Sequence, residues 1–224
     1  MHRGSTPDLF GGADTWAPEP GAPVELAPGA FVLPRLARAD APALIDAVRA
    51  VLARAPLRHY LTPGGKRMSV AMSSCGKLGW VSDRRGYRYA TDDPESGQAW
   101  PAMPAVLREM AVRAAGLAGY PGFSPDACLI NRYEPGARLT LHQDRDERDF
   151  GHPIVSMSLG LPVVFLFGGA RRADPTRRVP LFHGDVVVWG GPSRLFHHGV
   201  LAVKDGEHEA TGRARINLTF RRAG

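Results

Sequence analysis

A histidine and several acids are concentrated in the stretch LTLHQDRDERDF, residues 139–150. Alternate side chains of a β-strand point to opposite faces, so a strand through this stretch would place His142, Asp144 and Asp146 on one face. An imidazole and a carboxylate two positions apart can bind one metal ion from a single strand. The stretch therefore predicts either a metal site or a solvated acidic loop.

A facial metal triad needs one more imidazole and leaves the opposite face of the metal open. The candidate is His198 in SRLFHHGV, which lies far enough along the chain to return on another strand. The adjacent His197 is a rival that periodicity does not separate from His198. A second H-x-D pair, His183 and Asp185, is set aside because the glycine between them indicates a turn.

The segment RINLTFR, residues 215–221, alternates polar and apolar side chains. Its polar face consists of Arg215, Asn217, Thr219 and Arg221. This face could lie in water, as on an ordinary amphipathic edge strand. If it lines a cavity instead, two guanidinium groups require an anionic partner, which a ligand with two carboxylates would supply.

The segment GWVSDRRGYRYA interleaves three aromatic residues with three arginines. Bases stack on aromatic rings while arginines contact phosphates, which would suit a nucleic acid. From these residues alone, a plain hairpin whose aromatic side chains pack on the core is favoured. The residues are Trp80, Tyr87, Tyr89, Arg84, Arg85 and Arg88.

The elements that must position these residues follow from patterning. Residues 1–30 are rich in Gly and Pro and predict a flexible N-terminal arm. Helical spacing predicts one helix capped by Asp40 and ended by Pro56, and a second over residues 104–117. A region of short strands and turns, about residues 68–100, lies between the two helices.

Seven short β-rich segments separated by turn residues follow from residue 127 onward, which indicates an antiparallel sandwich or barrel. We therefore predict an α+β, mainly β fold. Its architecture would be a double-stranded β-helix (jelly-roll) barrel flanked by N-terminal helices. The jelly-roll core is expected at about 127–222, within one domain over residues 31–224.

Composition limits the class of protein. The chain has 224 residues with only two cysteines, Cys75 and Cys128, which argues against a disulfide framework and a thiolate zinc site. No apolar run approaches the ~20 residues of a membrane span, and no signal-peptide pattern is visible, so we expect a cytoplasmic protein without a membrane partner. The net charge of +6 is compatible with a nucleic-acid partner.

Together these segments resemble the iron- and 2-oxoglutarate-dependent dioxygenases and, more narrowly, the AlkB family of nucleic-acid dealkylases. The resemblance covers roughly residues 68–222. It rests on NRYEPGARLTLHQDRDE, PIVSMSLGLPVVFLFGG, HGDVVVWGG, SRLFHHG and RINLTFR. The last of these fits the family's R-x-N-x-T-x-R signature, which is more specific than H-x-D.

The resemblance implies an Fe(II) site formed by His142, Asp144 and His198, because the family's third ligand directly precedes the glycine. Bacterial members commonly carry an aromatic residue where this chain has His197. Arg215 and Arg221 would bind the two carboxylates of 2-oxoglutarate. The remaining co-substrate residues would be Asn131, Tyr133, Asn217 and Thr219.

The resemblance also implies a nucleotide-recognition lid over about residues 68–100. Asp146 would act at the catalytic site by favouring a cationic alkylated base over a neutral one. Glu147 and Asp149 are expected to be solvated charges. The substrate-binding residues would be Met72, Trp80, Tyr87, Tyr89, Asp146 and Arg172.

The function implied is that of a DNA-repair dioxygenase, an oxidative demethylase of bases such as 1-methyladenine and 3-methylcytosine. It would act as a monomer on alkylated DNA, and on RNA as a further candidate, with the base in a single strand or flipped from the duplex. Fe(II), 2-oxoglutarate and O2 would yield succinate, CO2 and formaldehyde. The alternatives are a hydroxylase of a small molecule or protein side chain, and a non-catalytic nucleic-acid-binding barrel.

Overall fold

A computed structural model of the protein describes residues 22–224. Its helices are α1 (Ala41–Leu52) and α2 (Ala105–Leu117). Its strands are β1 (Val24–Ala27), β2 (Ala30–Leu33), β3 (Ala71–Gly76), β4 (Gly79–Asp83), β5 (Gly86–Ala90), β6 (Ala127–Tyr133), β7 (Leu139–His142), β8 (Ile154–Gly160), β9 (Val163–Phe167), β10 (Arg177–Leu181), β11 (Val186–Trp189), β12 (His198–Val200) and β13 (Arg215–Arg221).

Two antiparallel sheets form the body of the protein. The larger has seven strands in the order β1-β2-β11-β8-β13-β6-β3, and the smaller has four in the order β10-β9-β12-β7. This confirms the mainly β jelly-roll fold. Within residues 22–224 no strand pairing joins the two sheets. The predicted barrel is therefore not closed, because side-chain packing and not backbone hydrogen bonding connects the sheets.

The larger sheet also contains β1, β2 and β3, which lie outside the predicted core at 127–222. β1 and β2 pair with each other, and β2 adds to β11, so residues 24–27 of the predicted arm form a strand. The rest of that predicted arm, residues 1–21, lies outside the described residues. β3 pairs with β6 along its full length, and this pairing satisfies backbone hydrogen-bonding groups of β3. Within the predicted lid region, β4 and β5 form a hairpin that is its own two-stranded sheet.

Both predicted helices form, and they pack on the outer face of the larger sheet. α1 begins after Asp40 with a proline in its first turn, but the Asp40 side chain makes no capping hydrogen bond. It lies instead 3.3 Å from Arg113 of α2 and so connects the two helices. Leu44 and Leu107 from the helices enter one apolar cluster with Leu218 of the sheet.

The two faces of β13 have opposite surroundings. Ile216, Leu218 and Phe220 face the helices in the apolar cluster. The polar residues of the opposite face are also buried, because β13 lies between β8 and β6 in the middle of the larger sheet. β13 is therefore not an edge strand, and its two arginines face the space between the sheets.

Tight packing fixes the start of the hairpin. Gly79 opens β4 beside Trp80, and a Cβ added to Gly79 would collide with the ring of Trp100. The indole of Trp100 is buried and donates a hydrogen bond of 3.1 Å to the carbonyl oxygen of Ala90, so it is held in place. We expect Gly79→Ala to lower the free energy of unfolding by about 1–3 kcal/mol, measured by urea unfolding. The control Gly116→Ala lies in open space on α2 and should be neutral or stabilise by up to ~1 kcal/mol; equal stability of the two variants would contradict the packing argument.

Candidate metal centre

Three potential metal ligands meet at one end of the smaller sheet. β12 pairs with β7 so that His198 lies directly opposite His142. The imidazole nitrogens of these residues and a carboxylate oxygen of Asp144 all lie within 4.8 Å of one another. Asp144 Oδ1 is 3.5 Å from Nε2 of His142, and Oδ2 is 3.8 Å from Nε2 of His198. This donor set suits a divalent transition metal with open positions on its far side.

Backbone contacts aim both imidazoles at this point. Nδ1 of His142 lies 2.9 Å from the carbonyl oxygen of Thr140, and Nδ1 of His198 lies 3.1 Å from that of Phe196. Such contacts fix the ring orientation and direct Nε2 toward a metal. His197 is outside the group of converging ligand atoms, since its Nδ1 lies 3.3 Å from the carbonyl oxygen of Gly169. The geometry therefore favours His198 over its rival.

The protonation states of Asp144 and His198 suit metal binding. Burial and, to a smaller extent, the neighbouring His142 together lower the pKa of His198 to about 4. Burial would raise the pKa of the Asp144 carboxyl, but the charge of Arg221 and the hydrogen bond from His142 hold it well below its usual range. At neutral pH the centre thus offers a carboxylate and a neutral His198 imidazole, the forms that bind metals.

The strand that carries His142 is shorter than predicted. β7 ends at His142, because its partner β12 begins at His198 directly opposite and the backbone of His197 bonds to Gly169 instead. Asp144 and Asp146 therefore lie in a loop, and the prediction that they share a strand face with His142 is wrong. The carbonyl oxygen of Asp144 accepts a 2.8 Å hydrogen bond from Nη1 of Arg194, which holds the loop near the histidines.

Arg215 is a buried cation without an acidic partner among the described residues. Its Nη2 donates to the hydroxyl of Ser158 at 2.9 Å, and its Cζ lies 4.9 Å from the ring centre of Tyr133. Its Nε and Nη1 are buried and have no hydrogen-bond partner among residues 22–224. Burial lowers the pKa of this guanidinium. These two donors fit a carboxylate, as the predicted dicarboxylate ligand requires.

The polar residues beside Arg215 form a hydrogen-bonded layer. The side-chain oxygen of Asn217 accepts from Nδ2 of Asn131 at 3.3 Å and from the hydroxyl of Thr219 at 3.0 Å. Nδ2 of Asn217 donates to the hydroxyl of Ser156 at 2.8 Å. The side-chain oxygen of Asn131 is buried, and no described residue donates a hydrogen bond to it. The sequence-predicted co-substrate residues are thus brought together on β6 and β13.

Arg221 is not equivalent to Arg215. Its Nε and Nη2 both donate to Oδ2 of Asp144, and its Nε is 3.0 Å from Oε1 of Glu147. Burial would lower the pKa of Arg221, but the negative charges of Asp144 and Glu147 raise it. Arg221 therefore contacts the candidate metal ligand directly, whereas Arg215 lies against Ser158 and Tyr133.

Glu147 was expected to be a solvated charge, and this is wrong. Its side chain is only 1% exposed and contacts Arg194, Arg221 and Tyr89. The burial follows from the charge balance, since two buried arginines need a carboxylate partner. Nothing in the local pattern around residue 147 indicates this, because all three partners lie far away in the chain. Asp149 is exposed, as expected.

The hairpin packs its aromatic residues over the loop that follows β7. Trp80 donates from Nε1 to Oδ2 of Asp146 at 2.9 Å. The ring of Trp80 stacks on that of Tyr87 with centres 5.5 Å apart, and Tyr60 meets Trp80 edge-on. Met72 of β3 packs in the apolar cluster against which Trp80 lies.

Two further predicted contacts differ in their surroundings. Arg172 is exposed and donates from Nη1 to the carbonyl oxygen of Leu141 at 2.6 Å, so it lies beside β7. Arg88 of the hairpin forms a bidentate pair with Asp83, at 2.9 and 2.8 Å. The H-x-D pair that was set aside lies at the turn before β11, where the backbone donates to both side chains, as the intervening glycine indicated.

Comparisons with known proteins agree with this geometry. The 2OG-Fe(II) oxygenase superfamily matches residues 29–221. The chain is 55% identical over 216 residues to the alpha-ketoglutarate-dependent dioxygenase AlkB of Salmonella typhimurium, covering 96% of this chain and 97% of that protein. It is 54% identical over 217 residues to AlkB of Escherichia coli K12, covering 97% and 98%.

A solved structure is also similar. The structure of OsALKBH1 aligns with a TM-score of 0.79 at 30% identity, covering 89% of this chain and 99% of that one. Within residues 22–224, neither helix has the length and apolar character needed to cross a membrane.

Proposed function

The chain belongs to the 2OG-Fe(II) oxygenase superfamily, and from this premise we propose that it is a dioxygenase that repairs alkylated nucleic acid. The observation that carries the proposal is the convergence of His142, Asp144 and His198 near the buried guanidinium of Arg215, which has no acidic partner among residues 22–224. The relatives named AlkB, similar over nearly the whole chain, support a nucleic-acid substrate.

Metal binding and co-substrate binding would be carried out by different side chains. Nε2 of His142 and of His198, with the Asp144 carboxylate, would hold Fe(II). Arg215 would pair with one carboxylate of 2-oxoglutarate through Nε and Nη1, with Arg221 near the metal-binding end. When bound, Fe(II) supplies the oxidation by O2, in which 2-oxoglutarate becomes succinate and CO2 and the N-methyl carbon is hydroxylated and leaves as formaldehyde.

The co-substrate pocket is completed by side chains of β6 and β13. Asn217 is fixed by Thr219 and Ser156, and it holds the side chain of Asn131. Tyr133 packs its ring against the guanidinium of Arg215. This layer orients the ligand and excludes water from the side of the larger sheet.

Substrate selection is assigned to the hairpin and the loop after β7. The carboxylate of Asp146, oriented by Trp80, favours a base that carries a positive charge because of ring-nitrogen alkylation, as in 1-methyladenine and 3-methylcytosine. Trp80 and Tyr87 provide a surface for base stacking. Tyr89, Met72 and Arg172 complete the proposed substrate side.

The physical form of the substrate follows from the site. A base within a duplex does not reach a metal between two sheets, so the base is taken from a single strand or flipped out. DNA is the proposed substrate and RNA a further one. We propose that the protein acts as a monomer in the cytoplasm, without a membrane partner.

The experiment that tests this function measures two products. Purified protein receives Fe(II), ascorbate and 2-oxoglutarate, with or without a short oligonucleotide containing one 1-methyladenine. Formaldehyde equal to the methyl groups lost, with matching succinate, supports repair. Succinate that does not respond to the oligonucleotide would indicate another substrate, such as a small molecule or a protein side chain. Neither product, from protein shown to bind iron, would leave a binding protein.

Trp80 provides a test of the substrate side alone. Trp80→Ala removes the ring that stacks on Tyr87 and the donor that orients Asp146. We expect binding of the methylated oligonucleotide to weaken by about 5- to 100-fold, because stacking contributes roughly 1–3 kcal/mol per base. Decarboxylation of 2-oxoglutarate without oligonucleotide should change little. Leu117→Ala, which removes an exposed apolar side chain at the end of α2, is the control. If Trp80→Ala lost oligonucleotide binding and uncoupled decarboxylation to the same extent, the role of Trp80 would be structural.

A further inference from the structure

Glu147 is a buried carboxylate with three partners from distant parts of the chain. Its Oε1 accepts a hydrogen bond of 2.9 Å from the hydroxyl of Tyr89 and lies 3.0 Å from Nε of Arg221. Its Oε2 lies 3.1 Å from Nη2 of Arg194. The partners come from β5, β13 and the segment before β12, so Glu147 connects three elements at one point.

Arg194 extends this cluster to the metal-binding loop. Its side chain is 3% exposed. Besides its contact with Glu147, it donates from Nη1 to the carbonyl oxygen of Asp144 at 2.8 Å and from Nε to that of His152 at 3.0 Å. Arg194 also lies four positions before His198. The pair of Glu147 and Arg194 thus fastens the loop that carries one candidate ligand to the segment that carries another.

Arg221 lies between two carboxylates, those of Asp144 and Glu147. The Nε and Nη2 atoms of Arg221 already donate to Oδ2 of Asp144, an oxygen that a metal would also use. The Nε atom of Arg221 is also close to Glu147, so the positive charge of Arg221 is attracted to both carboxylates. Without the charge of Glu147, the guanidinium would pair with Asp144 alone and compete with the metal for that oxygen.

We propose that Glu147 is a positioning residue, which orients Arg221 at the metal centre and, through the Tyr89 hydroxyl, connects that arginine to the hairpin of β4 and β5. The proposal rests on the proposed function, since it takes the metal and 2-oxoglutarate as the ligands of this centre. Glu147 would take this role through Arg221, Arg194 and Tyr89.

The charge balance of the cluster agrees with this role. Asp144 and Glu147 carry two negative charges, and Arg194 and Arg221 two positive ones, so the buried group is neutral. Bringing in a divalent cation and a dicarboxylate leaves it neutral. These four residues therefore stay neutral together when both ligands bind, and Arg215, which lies outside this group, is a further buried positive charge for the dicarboxylate.

The test compares Glu147→Gln with Glu134→Gln. Glutamine keeps the shape of the side chain and an acceptor for Tyr89 but removes the charge. Glu134 is a matched control, because it also pairs with an arginine, Arg132 at 2.6 Å, but at the surface. Binding of Mn(II), and of 2-oxoglutarate to the Mn(II)-loaded protein, is measured by isothermal titration calorimetry, so no turnover is needed.

We expect Glu147→Gln to weaken Mn(II) binding by about 10- to 100-fold, the range typical of outer-sphere partners of a metal site. The affinity for 2-oxoglutarate should also fall, and Glu134→Gln should match the wild type in both. A purely structural role would lower the melting temperature but leave both affinities of the folded protein unchanged, and that result overturns the proposal. Wild-type protein that binds neither ligand would instead contradict the proposed function.

Tyr89→Phe keeps the proposal testable if Glu147→Gln does not fold. The variant removes one hydroxyl and should fold, since the ring remains. In the wild type, we expect 2-oxoglutarate and Mn(II) to slow amide hydrogen exchange in residues 79–90 by at least about twofold. Tyr89→Phe should lose this response, because the hairpin no longer contacts Glu147. If exchange in residues 79–90 of Tyr89→Phe slowed as much as in the wild type, the proposed connection between Glu147 and the hairpin would be wrong.

Discussion

Asp144→Ala is expected to reduce turnover below roughly one-hundredth of the wild-type rate, because the loss of a metal ligand costs more than the 10- to 100-fold typical of an outer-sphere partner. The Asp144 carboxylate is the only anionic member of the candidate triad, and both imidazoles face it through Nε2. Without it, a divalent cation would keep two neutral ligands and no charge compensation from the triad. Succinate release and formaldehyde release should both fall.

The measurement requires evidence that the variant is folded. Arg221 loses one partner in Asp144→Ala but retains Glu147, so we expect a folded protein, checked by its melting temperature. Calorimetry should show that Mn(II) binding is lost together with turnover. Asp149→Ala, which removes an exposed carboxylate from the same loop, is the control and should retain full turnover. Wild-type turnover in folded Asp144→Ala would exclude the triad.

Arg215→Met is expected to separate ligand binding from stability. Methionine fills much of the same space without a charge, so the variant loses the pairing with a ligand carboxylate but avoids a cavity. A hydrogen bond to a charged group contributes roughly 1.5–3 kcal/mol, so the affinity for 2-oxoglutarate should fall by roughly 10- to 100-fold. The concentration of 2-oxoglutarate needed for half-maximal succinate release should rise in proportion.

The same change should not lower the melting temperature of the protein without ligand. Nε and Nη1 of Arg215 are buried without hydrogen-bond partners in the described part of the chain. Because such a cation is costly to bury, replacing it by an apolar side chain should be neutral or stabilising. Arg132→Met, on the neighbouring strand but paired with Glu134 at the surface, is the control and should bind 2-oxoglutarate normally. Unchanged 2-oxoglutarate affinity in Arg215→Met would move the co-substrate to another place.

Local patterns predicted the elements of the fold because they depend on neighbouring residues. The apolar spacing of α1 and α2 and the alternation in RINLTFR indicated the helices and the two faces of β13, and the structure has them. The glycine between His183 and Asp185 indicated a turn, and Gly184 has a φ of +89°, which favours glycine. Prediction was less accurate where a strand ends, as at His142, because the end depends on the partner strand.

The sequence by itself determined which side chains are available for chemistry: two histidines and a carboxylate for a metal, and two arginines on one strand face for a dicarboxylate. Only the tertiary structure decided how they are used. The register of β7 and β12 placed His198 and not His197 opposite His142. Packing buried Glu147 between Arg194 and Arg221 and brought Arg221 into contact with Asp144, 77 positions away. Among residues 22–224 it gave Arg215 no acidic partner. The physical reason is that periodicity reflects adjacent residues, whereas charge pairing and burial depend on which distant segments the sheets bring together.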